Sequence, residues 1–215
     1  MVAVYCVCAH AIKMIIFISL NFLTLEALIN AIGTYIPLSN EEEDLVGQIF
    51  QRKEFRKKDF LLKEGNICRS VYFIEKGLVR YYVNLDGEEK TTYFNKENEF
   101  VCDYMSFLPK SPSKVNIQAL EDVIIWSIDY DNLQRFYQEI RNGERLGRLA
   151  IEQVYLQAIG QVASFYTDPP EIRYLNFIHT YPDLQQRIAQ FYIASYVGVK
   201  PQSLSRIRRR ITSSH

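Results

Sequence analysis

The sequence predicts an α+β fold: an antiparallel β-roll toward the N-terminus, a long helix after it, and a small helical domain at the C-terminus. Three observations carry this. From about Phe55 to Ile128 the hydrophobic pattern alternates, and Gly65, Gly77 and Gly87 punctuate it. From Glu144 to Tyr166 the period is helical and no proline intervenes. The chain then approaches its end on "IASYVGVKPQSLSRIRRRI", residues 193–211, where apolar spacing, a glycine and a cluster of arginines coincide.

Composition fits a chain with a core to bury. It is 48% hydrophobic and 23% charged, and its 15 Tyr and 13 Phe argue against extended disorder. The net charge is zero, but it is unevenly spread. Residues 171–215 hold seven basic side chains (Arg173, Arg187, Lys200, Arg206, Arg208, Arg209, Arg210) against Glu171 and Asp183, so a net +5 there opposes −5 elsewhere. A polyanion partner for that segment alone is the expectation.

Several function classes are excluded. His10, His179 and His215 are far apart, no Ser/His/Asp or Cys/His grouping occurs, and no phosphate-binding glycine loop is present, so no catalytic residues are assigned and no enzyme is expected. Asp103 and Glu121 read as surface or pocket-edge carboxylates. Cys6, Cys8, Cys68 and Cys102 show no disulfide framework, and Cys6-x-Cys8 lacks the second ligand pair that a zinc site requires. Reduced cytoplasmic thiols, no metal and no cofactor are expected.

Residues 1–22 stand apart as an N-terminal extension. The apolar run Met14 to Leu25 is 12 residues and contains Ser19, Asn21 and Thr24, short of the about 20 that a spanning helix needs. Lys13 before it would suit a signal peptide, but no small-x-small site follows. A true translation start at Met14 or later is a further reading. A cytoplasmic protein with no membrane span is favoured.

The elements follow in order. Leu25, Leu28, Ile29, Ile32 and Ile36 mark an amphipathic helix. Strands run between the glycine turns, with Asp86-Gly87 as a hairpin signal. Further strands are expected over Asn98 to Tyr104, Lys114 to Leu120 and Val123 to Ile128. Asp131 is placed to cap a short helix through Ile140. In the long helix, Leu146, Leu149, Gln153, Leu156, Ile159 and Ala163 form a seam at spacings of three and four, as for a helix pairing with its own copy. Packing on the roll of the same chain would leave a similar stripe. Asp168-Pro169-Pro170 ends that helix and marks the domain boundary.

In the tail, Ile193, Ala194 and Val197 are the inner face of a short helix, Gly198 supplies a turn, and Pro201 opens the next helix. Leu204, Ile207 and Ile211 fall on one face, leaving Gln202, Ser203, Ser205, Arg206 and Arg209 outward. This is a helix-turn-helix with a polar, basic outer face. Arg206 and Gln202 suit bidentate contacts to bases. Arg208, Arg209, Arg210 and Lys200 suit phosphates. Double-stranded DNA is the expected partner.

With these residues assembled, the chain resembles the Crp/Fnr transcription regulators, in the branch common in Bacteroidetes-type bacteria. "FLLKEGNICRSVYFIEKGLVRYY", "IQALEDV" and "IASYVGVKPQSLSRIRRR" carry the likeness, which covers roughly Leu25 to Ile211. It implies a bacterial homodimer with two recognition helices in successive major grooves, and RNA polymerase as a further partner. It also implies base contacts at Gln202, Ser203 and Arg206. The domains it implies are residues 23–143 as a cyclic-nucleotide-binding-like sensor, 144–167 as a dimerisation helix and 168–215 as a domain of winged helix-turn-helix type.

The sensor departs from the family pattern. Cyclic-AMP binders carry F-G-E-L followed by R-A-A-T. Here the corresponding stretches are Phe100-Val101-Cys102-Asp103-Tyr104 and Ser113-Lys114-Val115-Asn116, with no glycine and no arginine. Without that guanidinium fork a buried phosphate loses its best partner, and Lys114 offers only a point charge. Cys102, Asp103, Tyr104, Ser113, Lys114 and Asn116 therefore line the candidate effector pocket, for an effector other than cyclic AMP. The competing reading is a cyclic-nucleotide or other small-molecule sensor acting mainly through protein contacts.

Overall fold

The computed structural model describes residues 25–213, so the expectations placed on residues 1–22 lie outside the described residues. Helix α1 (25–33) buries Leu25, Leu28 and Ile32, with Ile36 just beyond, as the spacing predicts. Helix α2 (Asn40–Ile49) starts on a capping box. The Ser39 hydroxyl accepts from the Glu42 amide at 3.3 Å and the Glu42 carboxylate accepts from the Ser39 amide at 2.8 Å, so two otherwise unpaired donors are satisfied.

Among the described residues, eight strands then form two four-stranded antiparallel sheets. They are β1 (Gln51–Phe55), β2 (Phe60–Leu62), β3 (Ser70–Lys76), β4 (Val79–Leu85), β5 (Glu88–Asn95), β6 (Phe100–Val101), β7 (Asn116–Ala119) and β8 (Val123–Asp129). One sheet has the order β1-β8-β3-β6, the other β2-β7-β4-β5. The predicted hairpin is present: Leu85 pairs with Glu88, and Asp86 and Gly87 between them have φ of 52° and 80°, which is a type I′ turn. Gly77 is needed for a second reason. A Cβ there would stand 2.6 Å from the Asp122 carbonyl oxygen.

Two expectations are corrected. The strand from Asn98 to Tyr104 shrinks to Phe100–Val101, because Asp103 caps a short helix, α3 (Tyr104–Phe107), by accepting from the Met105 amide at 3.2 Å. The cap of α4 (Tyr130–Glu139) is Asp129, not Asp131. Asp129 ends β8 in extended conformation and accepts from the Asn132 amide at 2.9 Å, leaving Asp131 inside the first turn.

Helix α5 (Gly143–Thr167) follows, then α6 (Pro170–Thr180), α7 (Leu184–Arg187), α8 (Gln190–Val197) and α9 (Pro201–Ser213). No strand follows β8 among the described residues. Two apolar clusters organise the molecule. The first lies between the sheets and extends to α1, α2 and α4. It includes the fully buried Phe73, Ile74 and Ile125. The second joins Leu78, Phe94 and Leu120 of the roll to Tyr174, Phe177, Tyr181 and Leu184 of the C-terminal helices and to the inner faces of α8 and α9. Among the described residues no helix is long and apolar enough to cross a membrane.

Candidate DNA-binding face and sensor site

The α8–α9 unit is built by its turn. Gly198 has φ 75° and ψ 37°, and its amide donates to the Ser195 carbonyl at 3.1 Å, while the Val199 amide reaches back to Ala194 at 2.9 Å. That pair of bonds is a Schellman close, which needs a left-handed residue at this position. Lys200 then presents its carbonyl to the amides of Ser203 and Leu204 at 2.9 and 3.1 Å, and Pro201 opens α9 without an amide to satisfy.

Leu204 and Ile207 are buried and Ile211 half-buried against the second cluster, together with Ile193, Ala194 and Val197 of α8. Lys200, Gln202, Ser203, Ser205, Arg206, Arg209 and Arg210 are exposed, so one face of α9 is polar and basic. The outward residues differ in what already engages them. Ser205 donates to the Pro201 carbonyl at 3.1 Å. Arg208 is half-buried beside Tyr174. Arg210 pairs with Glu171 of α6 at 2.5 Å.

The net charge of the C-terminal segment is therefore not all available to a polyanion. Arg173 ties α6 to the end of α8, donating from Nε to the Val197 carbonyl at 2.8 Å and from Nη1 to that of Asp168 at 2.7 Å. Arg187 turns toward the roll. Its fork meets Glu121 at 3.0 and 2.7 Å and Glu97 at 2.9 and 2.8 Å, with Asp183 at 3.1 Å. Lys96 of the roll bonds Asp183 at 2.6 Å in return.

Three more contacts bind the C-terminal helices to the roll, and sequence reasoning missed them all. The Ser195 hydroxyl closes the open edge of β5, accepting from the Thr91 amide at 2.8 Å and donating to the Glu89 carbonyl at 3.1 Å. Arg80 is 2% exposed, with its guanidinium 4.1 Å from both the Tyr82 ring and the Tyr192 ring of α8. Its charge meets Glu89, and Gln118 accepts from it at 2.8 Å. Finally, Phe94 packs on Phe177, Tyr181 and Tyr196, and the Tyr181 hydroxyl donates to the Phe94 carbonyl at 3.2 Å. Only the Asp183–Arg187 pair has a signal readable from sequence, its spacing of four.

The ionic contact has a pH signature. Lys96 and then Arg187 hold the Asp183 carboxyl below its ordinary value. Burial works against Glu97, but the Arg187 guanidinium and the Gly77 amide draw it down as well. A depressed folded value means stabilisation that is complete above the ordinary carboxylate range near pH 4 and lost as pH falls through the lowered values. Protection factors for amide exchange in α7, taken against the intrinsic rate at each pH, should fall over that acidic window, and in Arg187→Met they should already be low at neutral pH.

At the sensor site the candidate residues come together, but largely around one another. Asp103 accepts from the Ser113 hydroxyl at 2.6 Å in addition to the Met105 amide, and Ser113 is buried. Asn116 accepts from the Glu64 amide at 3.1 Å, while its buried Nδ2 has no partner. The Cys102 amide donates to the Tyr81 hydroxyl at 3.0 Å. Tyr104 is half-buried and Lys114 is exposed. The carboxylate of Asp103 therefore stands at the start of α3, where a phosphate would otherwise meet amide donors, and like charges there repel. Among the described residues no group of three or more metal-ligating side chains forms.

On α5, Leu146 is buried against the roll and Leu149 half-buried. Gln153, Gln157 and Gln161 all bond to the same chain. Gln153 accepts from the Tyr35 hydroxyl at 2.8 Å, Gln157 accepts from the Tyr93 hydroxyl, and Gln161 donates to the Thr92 carbonyl at 2.8 Å. The rest of the helix surface exposes Ile151, Val154, Tyr155, Leu156, Ile159, Val162, Phe165 and Tyr166, with Ala163 among them.

Comparison with known proteins agrees with this architecture. The cyclic nucleotide-binding domain family matches residues 52–140. No curated protein is a significant match. Among solved structures, FixK2 from Bradyrhizobium japonicum is similar at TM-score 0.67 and 14% identity, covering 77% of this chain and 86% of that one. The c-di-GMP responsive global regulator CLP of Xanthomonas campestris gives TM-score 0.65 and 14% identity over 82% and 93%. A regulator assigned to the Crp/Fnr family from Eubacterium rectale gives 0.62 and 14% over 84% and 88%. Residues 52–140 thus match the cyclic nucleotide-binding domain family, and along most of its length the chain shares the fold of these solved structures, one of them assigned to the Crp/Fnr family.

Proposed function

We propose that this protein is a homodimeric, sequence-specific DNA-binding transcription regulator whose roll is a sensor for an effector other than cyclic AMP. The observation that carries the reading is α9: its apolar side is sealed by Leu204 and Ile207, its start is fixed by the Gly198 turn, and its outer side holds Gln202, Ser203 and Arg206 in the open. Selection from a random duplex library by the purified protein tests it. A near-palindromic motif with half-sites about 34–36 Å apart is expected. Unselected sequences with the protein alone would mean that DNA reading needs an effector or is absent, and a motif gained only with cyclic AMP would overturn the effector assignment.

Base reading and phosphate contact are separable. Arg206→Ala should relax sequence choice at one position and cost about 1–3 kcal/mol. Arg209→Ala should weaken all sequences alike and lower the salt slope by about one. Titrations at several salt concentrations distinguish the two.

The outer face of α5 is the proposed dimer seam, with Leu156 and Ile159 exposed at 71% and 51%. An apolar row of this length on one helix suits pairing with a second copy. The variant carrying both Leu156→Glu and Ile159→Glu should sediment as a monomer and lose its affinity for the two-half-site duplex. Retention of the dimer mass would move the interface elsewhere.

A further inference from the structure

Two of the four cysteines, distant in sequence, meet in the roll. Cys68 lies between β2 and β3, and Cys102 directly follows β6. The β3–β6 pairing, with Tyr72 opposite Val101, brings the two segments side by side. Their sulfurs stand 4.0 Å apart as free thiols. A disulfide needs them about 2 Å closer, a distance that side-chain rotation and a small backbone shift can cover. Cys68 is 2% exposed, whereas Cys102 is partly open to solvent.

We propose that Cys68 and Cys102 form an oxidant-responsive dithiol, closed to a disulfide by hydrogen peroxide or an organic hydroperoxide and reopened by a thiol reductant. The Cys68 thiolate attacks one peroxide oxygen. The O–O bond breaks, Cys68 becomes a sulfenic acid, and the departing hydroxide takes up the proton that Cys68 released. The Cys102 sulfur then attacks the Cys68 sulfur, and the sulfenic hydroxyl leaves with the Cys102 proton as water. The two thiols give up two electrons and the peroxide accepts them; hydrogen peroxide yields two waters, and an organic hydroperoxide yields its alcohol and one water.

Electrostatics favour this division of roles, while solvent reaches the pair at Cys102, the more open of the two thiols. The Cys102 thiol, 4.0 Å away, draws Cys68 down to about 7 against the opposing effect of burial. Burial pushes Cys102 far up, leaving it the protonated partner.

The pair also touches the output side of the roll. The Cys102 amide bonds the Tyr81 hydroxyl at 3.0 Å, the Tyr81 ring meets Tyr93 edge-on at 6.0 Å, and the Tyr93 hydroxyl bonds Gln157 of α5. Drawing Cys102 toward Cys68 therefore pulls on a packed chain that ends at the long helix. Only the consequence for DNA rests on the regulator reading; the thiol chemistry stands without it.

The test uses the full chain, reduced and then treated with hydrogen peroxide. Remaining thiols are alkylated in denaturant and the peptides mapped by mass. The expected result is a Cys68–Cys102 cross-linked peptide, two hydrogens lighter, that dithiothreitol reverses. In Cys102→Ser, Cys68 should stop at a sulfenic acid that dimedone traps. Recovery of Cys68 and Cys102 as free thiols at doses that oxidise Cys6 and Cys8, or cross-links confined to Cys6 and Cys8, would overturn the proposal. Hydrogen exchange around Gln157 should change on oxidation of the wild type and not of Tyr93→Phe. No change in the wild type would overturn the route to α5. A confirmed cross-link in a protein that selects no DNA sequence would fault the regulator reading alone.

Discussion

Phe94→Ala is expected to cost about 3–5 kcal/mol, the usual range for deleting a fully buried aromatic side chain, and to do so in an uneven way. Phe94 belongs to β5 and is 0% exposed, yet its aromatic neighbours Phe177, Tyr181 and Tyr196 all belong to the C-terminal region, on α6, just after it and on α8. Truncation opens a cavity in the second apolar cluster and leaves the first, between the two sheets, intact. Urea denaturation should therefore resolve into two transitions, with α6 to α9 losing protection first. Phe73→Ala, also 0% exposed but inside the roll, is the contrasting variant. It should destabilise the sheets without separating the transitions. A single cooperative transition in Phe94→Ala would show that the two clusters unfold as one.

The second large effect is expected at the turn. Gly198→Val places a β-branched residue at φ 75°, a region that costs an ordinary L-residue about 1–2 kcal/mol. The new Cβ also meets Cε1 of Phe165 at 2.8 Å, pressing on the end of α5. About 2 kcal/mol of lost stability is expected by thermal or urea unfolding, and DNA affinity should fall at least about tenfold, because the Schellman close that aims α9 is lost. Gly198→Asn, which tolerates the left-handed region, should lose far less. Equal losses in the two variants would mean that the ring contact matters more than the backbone angle.

What the sequence disclosed and what it hid divide along physical lines. The faces of α9 were legible because Leu204, Ile207 and Ile211 lie within two turns of one helix, and the Asp86-Gly87 turn was legible because its backbone angles select those residues. The docking of α8 on β5 was not. Ser195 and Thr91 are 104 residues apart, and a serine on a short helix carries no mark of the strand edge it will close. Arg187 read as one more positive charge for DNA, though its fork binds two carboxylates of the roll. On α5 the spacing pointed to a stripe, but a helix with apolar residues on several sides does not reveal which side meets its own chain. Gln153 sits on the predicted seam, and its amide oxygen is taken by Tyr35. Cys68 and Cys102 showed no spacing because β-strand pairing, not proximity in sequence, unites them.

The three glutamines of α5 carry one more implication. Gln153, Gln157 and Gln161 are the same side chain repeated once per turn, and each meets a hydroxyl or carbonyl that would accept any of them in place of another. Like identical teeth on a rack, they define the side on which the helix engages but not its height. An axial step of four residues, about 6 Å, would re-form two of the three bonds one place along and set the remaining partner against Leu149 or Phe165. What opposes that step is the N-terminal end of the helix, where Leu146 is buried and a Cβ on Gly147 would stand 2.7 Å from the Tyr137 hydroxyl. The vertical setting of the helix is thus held at both ends, by Leu146 and Gly147 close to the roll and by the contacts that dock α6 to α9 on β5 and on Glu97 and Glu121.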